Sequence, residues 1–233
     1  PPPPPPPPLF FITPNTATPM LRSLVGSEMC IRDRLYFIGN KSVFIIVLSG
    51  VFTGMVLAYQ TYFGFKLINV DSLVGPVVAL SMARELAPVL TGLIVSGRAG
   101  GAMAAQIGTM KVTEQIDALK TLSTNPLNYL VAPRIIAGLI SLPILVFVGD
   151  IVGVFGGYLI CVYVLSFNPE VFLVNVFNFV EFVDIFSGLV KASVFGFLVT
   201  LMGCYHGYNS KGGAQGVGTA TTNAVSYTHL RAH

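Results

Sequence analysis

Apolar residues occur along this chain in four long runs, separated by shorter segments that hold most of the charge. The first run is residues 42–65, and the others cover about 73–95, 135–165 and 185–205. About 20 consecutive apolar residues suffice for a helix to cross a bilayer, so each run predicts a membrane-spanning helix. The third run is longer than a bilayer requires, and we expect it to tilt, to bend near Pro143 or to begin in the interface.

Composition points to the same class of protein. Hydrophobic residues make up 53% of the chain and charged residues 10%. A soluble globule of this size needs more polar surface than that composition supplies. The sequence therefore predicts an all-α integral membrane protein with about four transmembrane helices. The formal net charge of +3 comes with no basic run of the kind that binds nucleic acid.

Both ends of the chain differ from its apolar body. Eight prolines come first, and the peptides VGSEMCIRD (25–33) and VSYTHLRAH (225–233) flank the body. One DNA coding of the first peptide has a reverse complement that encodes the second, as the two strands of a sequencing adapter would. We therefore expect residues 1–34 to be non-native low-complexity and adapter-derived sequence, 225–233 to be adapter-derived, and 35–224 to be a truncated native domain. The alternative for the first block is a natural proline-rich linker.

The body holds few residues with reactive side chains. Within residues 35–224, nine Lys and Arg residues accompany eight Asp and Glu residues, so the body carries a net charge of +1. Cys161 and Cys204 lie in apolar runs, where a reduced cysteine usually packs as a small hydrophobic residue. His206 is the one histidine of the body. These residues offer neither a disulfide framework nor metal-ligand spacing.

Charge in the loops predicts how the spans are oriented. The segment between the third and fourth runs contains acids but no Lys or Arg, whereas the segment 97–134 contains Arg98, Lys111, Lys120 and Arg134. Since positively charged loops stay in the cytoplasm, we expect 97–134 there. Four spans then place the start of the body and the polar tail after Tyr205 on that side too. We expect that this tail continued into a further, fifth span, lost at the C-terminus.

The segment GGAMAAQIGTMKVTEQIDALKTLSTNPLNYL combines two kinds of side chain at helical spacing. Its apolar residues are Ile107, Met110, Ile116, Leu119 and Leu122, and its charged residues recur every three positions at Lys111, Glu114, Asp117 and Lys120. This pattern predicts one amphipathic helix that ends before Asn125-Pro126. Two interpretations stay open: a plain interfacial helix, or a helix that docks a soluble partner.

The second run contains adjacent opposite charges, Arg84 and Glu85, followed by Pro88. An ionisable group at membrane depth costs on the order of a few kcal/mol, so it faces the bundle interior or a cavity and finds a partner. Neighbouring residues point about 100° apart around a helix, so these two are not expected simply to pair with each other. Lys191 and Asp150 are the other candidates, and they can pair with each other or with Arg84 and Glu85. A purely structural role, as packing anchors or inter-helix ion pairs, stays open beside a role in lining a cavity.

Two further features are expected to shape this region. Pro88 removes a backbone hydrogen bond and is expected to kink the second span. Gly97, Gly100 and Gly101 are expected to allow a tight turn or close packing after it. Arg98, between these glycines, either reaches lipid headgroups or takes part in the turn that leads to the amphipathic helix.

The order of these motifs resembles one family. RELAPV within an apolar run, GRAG, the TEQIDAL helix and APR before the next run together resemble the signature region of MlaE/YrbE-type permeases. The stretches VFTGMVLAYQ and VKASVFG extend the resemblance over roughly residues 36–224. Members of that family are the membrane subunits of ABC transporters that move lipids with MCE-domain proteins. The family pattern adds an N-terminal interfacial helix and a fifth span, which are missing or replaced here.

The resemblance implies an assembly and a location. Two copies would form a lipid-accepting cavity in a bacterial inner (plasma) membrane, beneath a periplasmic MCE-domain assembly and above two cytoplasmic ATPase subunits. The chain has no GxxxxGK[ST] loop, so it is expected to be a non-catalytic subunit that binds no cofactor. ATP and Mg²⁺ would bind to the partner ATPase.

The resemblance also implies roles for residues. Glu85 would line the lipid path, with Arg84 and Lys191 beside it. The segment from about Gly100 to Leu122 would be the coupling helix against the ATPase, with these contacts: Arg98, Lys111, Glu114, Gln115 and Asp117. Pro88, Gly97 and Gly100 would supply the structural turn or kink.

Two other classes of membrane protein fit the sequence less well than a permease does. An intramembrane enzyme needs a nucleophile with a base, or a metal cluster, and the body shows neither HExxH nor GxSxG. A secondary transporter or channel would also contain apolar spans with buried charges, and it would work without an ATPase. No convincing internal repeat supports that alternative.

Overall fold

The computed structural model describes residues 31–67, 71–121 and 126–231, and within these ranges the chain is helical with no strand. Four of the described helices are long and apolar enough to cross a membrane. They are α1 (Ile31–Lys66), α2 (Val74–Val112), α4 (Leu127–Val164) and α6 (Phe182–Tyr208). The described residues also form three shorter or more polar α-helices, α3 (Gln115–Thr121), α5 (Pro169–Phe179) and α7 (Gly213–Arg231), and a single 3₁₀ turn at Asp71–Leu73 before α2. This architecture confirms the predicted all-α membrane fold.

Each predicted span lies inside an observed helix. The first apolar run falls in α1, whose regular part begins at Asn40 after a turn at Gly39. The third run lies in α4, which continues through Pro143. The fourth lies in α6. Large apolar side chains stay exposed along α1, α4 and α6, as expected for helices whose outer faces meet lipid.

Of the two alternatives for the glycines after the second span, a tight turn or close packing, the tight turn does not occur. Helix α2 runs on through the glycine-rich segment, where Ser96–Gly100 form one wider π-helical turn. Glycine permits a turn but does not force one, and here burial of the backbone keeps the helix going. Gly100 serves close packing instead, because a β carbon there would lie 3.3 Å from Cγ1 of Val199. Gly97 has no such neighbour, since nothing lies within 4 Å of that position.

The prediction of a single amphipathic helix after the second span is wrong. Residues Gly101–Val112 continue α2, and the chain breaks at Thr113 and Glu114 before α3 begins. Glu114 has a φ of 57°, in the left-handed region, which ends a regular helix. The break arises because Ile107 and Ile116 turn into one shared apolar cluster, which a straight helix would not allow. Leu122 and Asn125 lie outside the described residues.

Small residues bring the spans into backbone contact. A β carbon on Gly54 of α1 would overlap the carbonyl of Gly153 in α4, and one on Gly156 would overlap the carbonyl of Val51. Two further positions show that α1 and α4 run parallel, because a β carbon on Gly50 would lie 3.4 Å from the Gly149 carbonyl oxygen and one on Gly157 would lie 3.6 Å from that of Gly54. The recurrent small residues of the sequence predicted such packing.

Helices α2 and α6 form a second parallel pair. A β carbon on Gly188 would overlap the carbonyl of Ala83. Further along, one on Gly203 would lie 3.0 Å from the carbonyl oxygen of Gly100. The two helices thus stay in register over most of their length, with α5 near one end of the bundle and α3 near the other.

The polar tail forms helix α7, which packs against the last part of α2 and against α6. It is not among the four helices apolar enough to span a membrane. The assignment of residues 225–233 to an adapter, and of 1–34 to non-native sequence, stays a prediction. Most of that first segment lies outside the described residues.

Candidate functional site

The adjacent charges of α2 are each paired with a residue of α6. Lys191 Nζ lies 2.6 Å from Glu85 Oε1 and also donates to the carbonyl oxygen of Arg84 at 2.9 Å. Arg84 Nε donates to Asp184 Oδ1 at 2.7 Å. The prediction that Arg84 and Glu85 do not pair with each other agrees with this geometry. Inter-helix ion pairs, one of the two interpretations left open by the sequence, are what the structure contains.

Pro88 explains why a backbone carbonyl accepts from Lys191. In an α-helix the carbonyl of Arg84 would accept from the N–H of residue 88, and proline has none. The helix widens just before that point, because Met82–Leu86 form a π-helical turn. Lys191 supplies the missing donor from the neighbouring helix. Where the sequence predicted a kink at Pro88, α2 thus has a widened turn and continues as a helix.

Asp184 was not among the candidate residues from the sequence. Its side chain is buried, and its second carboxylate oxygen accepts from the backbone N–H of Glu181 at 3.2 Å, which caps the start of α6. One carboxylate thus both caps α6 and holds Arg84. An acid in the first turn of an apolar run, with an unmatched arginine in another run, is the signal that would have identified it.

The Glu85–Lys191 pair lies on the outer surface of the single chain, whereas Asp184 is buried beneath the exposed Arg84 side chain. The Glu85 side chain is 69% exposed and that of Lys191 is 44% exposed. Lys191 follows Asp184 by seven residues, about 10 Å along α6. The Glu85–Lys191 pair is therefore inside the membrane-spanning part of the bundle, facing away from its core.

Asp150 does not take part in these pairs. It is only 8% exposed, and neither carboxylate oxygen has a hydrogen-bond partner among the described residues. Pairing with Lys191 or with Arg84, an open possibility in the sequence, does not occur, because those cations bind Glu85 and Asp184. Asp150 follows Arg134 by 16 residues on α4, about 24 Å, so it lies near the middle of the span.

At the α3 end of the bundle, Arg98 points to another helix. Its Nη1 donates at 2.5 Å to Oγ of Ser42, which lies in α1 two residues after the regular part of that helix begins. Ser42 is fully buried and donates in turn to the carbonyl of Ile38 at 2.7 Å. Arg98 therefore fastens α2 to α1. This contact is neither headgroup contact nor part of a tight turn, and the ATPase contact that the family resemblance implies for Arg98 stays a prediction.

Lys111 also turns inward. Its Nζ donates to the backbone carbonyl of Tyr208 at 2.7 Å and lies 5.1 Å from the centre of the Tyr208 ring. The ammonium group of Lys111 therefore binds within the chain and links the end of α2 to the end of α6. Sequence periodicity had placed it on the same outer face as Asp117.

The outward surface at this end is formed by α3 and the residues before it. Glu114, Gln115 and Asp117 are all exposed, while Ile116 is buried against the ends of α2, α4 and α6. Gln115 also borders an open cavity of about 470 Å³ between α2 and α4, lined in part by Gln106 and Arg134. Helix α3 is therefore a short platform with one anchored side and one free side.

A local ion pair sets the charge of this platform. Lys120 Nζ lies 2.8 Å from Asp117 Oδ1, one turn apart on α3. The hydrogen bond from Lys120, with its positive charge, lowers the pKa of Asp117 below the ordinary value of 3.8. The same contact raises the pKa of Lys120. Both groups are therefore charged at neutral pH.

Among the described residues, no group of His, Cys, Asp and Glu side chains has the arrangement that holds a metal ion. Cys161 and Cys204 are free and buried, as expected from their apolar runs. The functional groups that remain are the charged contacts between α2 and α6 and the exposed side of α3.

Together, the fold and these contacts define a multi-pass membrane protein with ion pairs set into its spans. The Permease MlaE family model matches residues 31–230. A probable ABC transporter permease protein of Rickettsia typhi is 52% identical over 195 residues, which cover 84% of this chain and 75% of that protein. The intermembrane phospholipid transport system permease protein MlaE of Haemophilus influenzae is 38% identical over 198 residues, 84% of this chain and 76% of that protein.

A chloroplast protein is also similar to this chain. The chloroplastic protein TRIGALACTOSYLDIACYLGLYCEROL 1 of Arabidopsis thaliana is 36% identical over 187 residues, which cover 80% of this chain and 53% of that protein. The chain belongs to the MlaE family of ABC transporter permeases. The family resemblance drawn from RELAPV, GRAG and TEQIDAL is confirmed.

Proposed function

We propose that this chain is the permease subunit of an ATP-driven transporter that moves phospholipid between membranes. Two copies would form the pathway in a bacterial inner membrane, with a separate cytoplasmic ATPase on one side and an MCE-domain protein on the other. The observation that carries the proposal is the outward-facing Glu85–Lys191 pair inside the membrane-spanning part of the bundle.

An ion pair that faces hydrocarbon is energetically costly, because both charges lose their hydration and the lipid tails offer no polar groups in exchange. Glu85 and Lys191 are both substantially exposed on the single chain, so this surface needs a polar covering. A second copy of the chain, enclosing a cavity with headgroups and water, supplies that covering. The apolar faces of the remaining spans stay in contact with lipid.

The charges of this surface match a phospholipid headgroup. Lys191 and Arg84 offer donors for a phosphate, and Glu85 offers an acceptor for a headgroup amine. Each of these side chains already has a partner on the neighbouring helix. A bound headgroup would therefore replace some of the hydrogen bonds that these side chains already make. Since the charges are paired with and without the headgroup, its binding would be readily reversible.

The free side of α3 is the proposed contact with the ATPase. The N-terminal end of α1, the end of α6 and α3 all lie at one end of the bundle. The positively charged segment 97–134 predicts that this end is cytoplasmic. Exposed Glu114, Gln115 and Asp117 would then face the ATPase, while Lys111 and Arg98 support α2 from inside the chain. ATP and Mg²⁺ would bind only on the ATPase.

The test is purification of the full chain from bacterial membranes, followed by mass spectrometry of bound proteins and lipids. Recovery of an ABC ATPase, an MCE-domain protein and phospholipid is the expected result. Transfer of fluorescent phospholipid by the reconstituted complex should then require ATP. Transfer by the chain alone, without ATPase or ATP, would overturn the proposal in favour of a secondary transporter or channel.

A matched pair of variants tests the site itself. Glu85→Gln should reduce ATP-dependent lipid transfer at least tenfold, a loss on the order of one charge-assisted contact, while the ATPase still co-purifies. Glu170→Gln, at an exposed acid in the first turn of α5, is the control and should transfer lipid normally. Equal transfer by both variants would remove Glu85 from the lipid pathway.

A further inference from the structure

Lys111 closes the cytoplasmic end of α6. The last carbonyls of a helix have no partners within it, and they form the negative end of the helix dipole. In α6, the N–H of Asn209 donates to the carbonyl of Tyr205 at 3.0 Å, and that of Ser210 donates to Gly207 at 3.3 Å. Tyr208 is the last residue of the helix, and Lys111 donates to its carbonyl.

This contact comes just before the chain changes direction. Val112 ends α2, the left-handed Glu114 breaks the helix, and α3 begins at Gln115. The position at which α3 leaves the bundle is therefore set within a few residues of Lys111. On the apolar side, Ile116 fixes α3 against Ile107, Leu130 and Cys204.

Helix α6 runs from the ion pairs near its first residues to the Lys111 contact at its last residue, Tyr208. Gly203 and Gly207 hold α6 against the backbone of α2 next to the Lys111 contact. Asp184 and Lys191 hold the same two helices together near their other ends. A displacement of α3 that pulls on Lys111 would thus reach α6 through a charged hydrogen bond, and α6 carries Lys191.

We propose that Lys111 is a positioning residue that couples α3 to α6, so that movement of α3 by the ATPase changes the Glu85–Lys191 contact. This inference rests on the proposed function. It differs from direct docking, because the charge of Lys111 acts on Tyr208 and not on the ATPase. Loss of Lys111 should therefore separate ATP hydrolysis from lipid movement.

The experiment uses the complete transporter with its ATPase in lipid vesicles, and it measures ATP hydrolysis and phospholipid transfer on the same sample. Lys111→Met keeps the length of the side chain and removes its charge and donors. We expect normal ATPase association and hydrolysis, with about tenfold less lipid moved per ATP, the factor expected for one hydrogen bond to a charged group. Lys111→Arg keeps a cationic donor and should restore most of the coupling.

Lys41→Met is the matched control. Lys41 lies at the same end of the bundle, on α1, and its nearest ring contact is Phe37 of the same helix, at 5.7 Å. The same substitution there should leave the amount of lipid moved per ATP unchanged. An equal drop in both variants would show that loss of any positive charge at this end reduces transport, which would overturn the inference.

Two other outcomes also decide the question. If Lys111→Met moves a normal amount of lipid per ATP, Lys111 has no role in coupling. If it loses the ATPase altogether, Lys111 acts in docking and the inference is wrong. Absence of ATP-driven transfer in the unmodified complex would instead count against the proposed function, so the two failures are distinct.

If Lys111→Met yields too little transporter for transport assays, a distance measurement on a different variant tests the same inference. Spin labels at Ala118 on α3 and Tyr205 on α6, both exposed, report the separation of the two helices. We expect that separation to stay constant between the nucleotide-free and ATP-bound states of the unmodified complex. In Lys111→Gln it should change with nucleotide, and a constant separation in both proteins would overturn the inference.

Discussion

Lys191 of α6 donates a hydrogen bond to the carbonyl that Pro88 leaves without a donor in α2. One lysine thereby repairs the backbone of the neighbouring helix and neutralises Glu85 at the same time. The proline and the lysine are about a hundred residues apart in the sequence. Their relationship ties the widened turn Met82–Leu86 to the exposed ion pair between α2 and α6.

Pro88→Ala should make α2 less dependent on Lys191. Alanine supplies an N–H for the Arg84 carbonyl and has the highest helix propensity. A helix-interior proline costs about 3 kcal/mol, part of which Lys191 already offsets, so we expect a stability gain of about 1 kcal/mol. Thermal unfolding of the detergent-solubilised chain measures it. A clear loss of stability would show that the widened turn is needed for packing.

Pro143→Ala is the comparison for that measurement. Pro143 lies inside α4, and among the described residues no side chain donates to the carbonyl of Leu139, four positions earlier. The gain in unfolding free energy should therefore be larger than at Pro88. An equal gain at both positions would mean that Lys191 contributes nothing to the α2 backbone.

Asp150 and Asp184 should respond in opposite ways to the same isosteric change. Asp150→Asn removes a carboxylate that has no partner among the described residues, so the stability should stay equal or rise. Asp184→Asn weakens both the contact with Arg84 and the cap of α6, and it should cost about 2 kcal/mol.

Denaturant or thermal unfolding of these two variants, at equal detergent concentration, gives the comparison. A cost at Asp150 as large as that at Asp184 would mean that Asp150 has a charged partner in the assembled transporter. Lipid transfer by Asp150→Asn gives a second readout, since a buried residue outside the pathway should leave transfer unchanged.

Two glycines of α1 provide a matched test of backbone packing. A β carbon on Gly54 would overlap the carbonyl of Gly153, so Gly54→Ala should force α1 and α4 apart and cost about 2 kcal/mol or more. Gly64 has nothing within 4 Å of its β position, so Gly64→Ala should be neutral or stabilise by up to about 1 kcal/mol. Unfolding temperatures that fall equally for both would contradict the close packing of α1 on α4.

The Asp117–Lys120 pair predicts how α3 responds to pH. Because Lys120 lowers the pKa of Asp117, the stabilising effect is complete above 3.8 and is lost as the pH falls through the lowered value. On the basic side, because the pKa of Lys120 is raised, the effect is complete below 10.5 and is lost as the pH rises through the raised value. Lys120→Met removes the largest cause of the shift and should raise the pKa of Asp117 towards its ordinary value. Carboxyl NMR titration measures this pKa, and an unchanged value would show that the pair does not form in solution.

Several parts of the fold could be predicted because they depend only on nearby residues. The four spans follow from apolar length, and the structure contains all of them. The separation of Arg84 and Glu85 follows from the geometry of a single helix. The family was identified because RELAPV, GRAG and TEQIDAL occur in one order, and that identification is confirmed.

Other parts depend on contacts that a linear pattern does not contain. The glycines at 97 and 100 were compatible with a turn or with close packing, and only the structure shows that α2 stays helical there and that Gly100 packs against Val199. The amphipathic pattern suggested one helix, but the cluster around Ile107 and Ile116 requires a break. Lys111 and Arg98 have the charge expected of surface contacts, yet both are bonded to neighbouring helices.

The sequence by itself determined the class of protein, the number of apolar spans and the family, since hydrophobic length and motif order are local properties. The partners of the charges were decided only by the tertiary structure. Arg84 finds Asp184, and Lys191 finds Glu85, because α2 and α6 run parallel in one register. That register depends on where small residues let two backbones meet, as Gly188 does against Ala83.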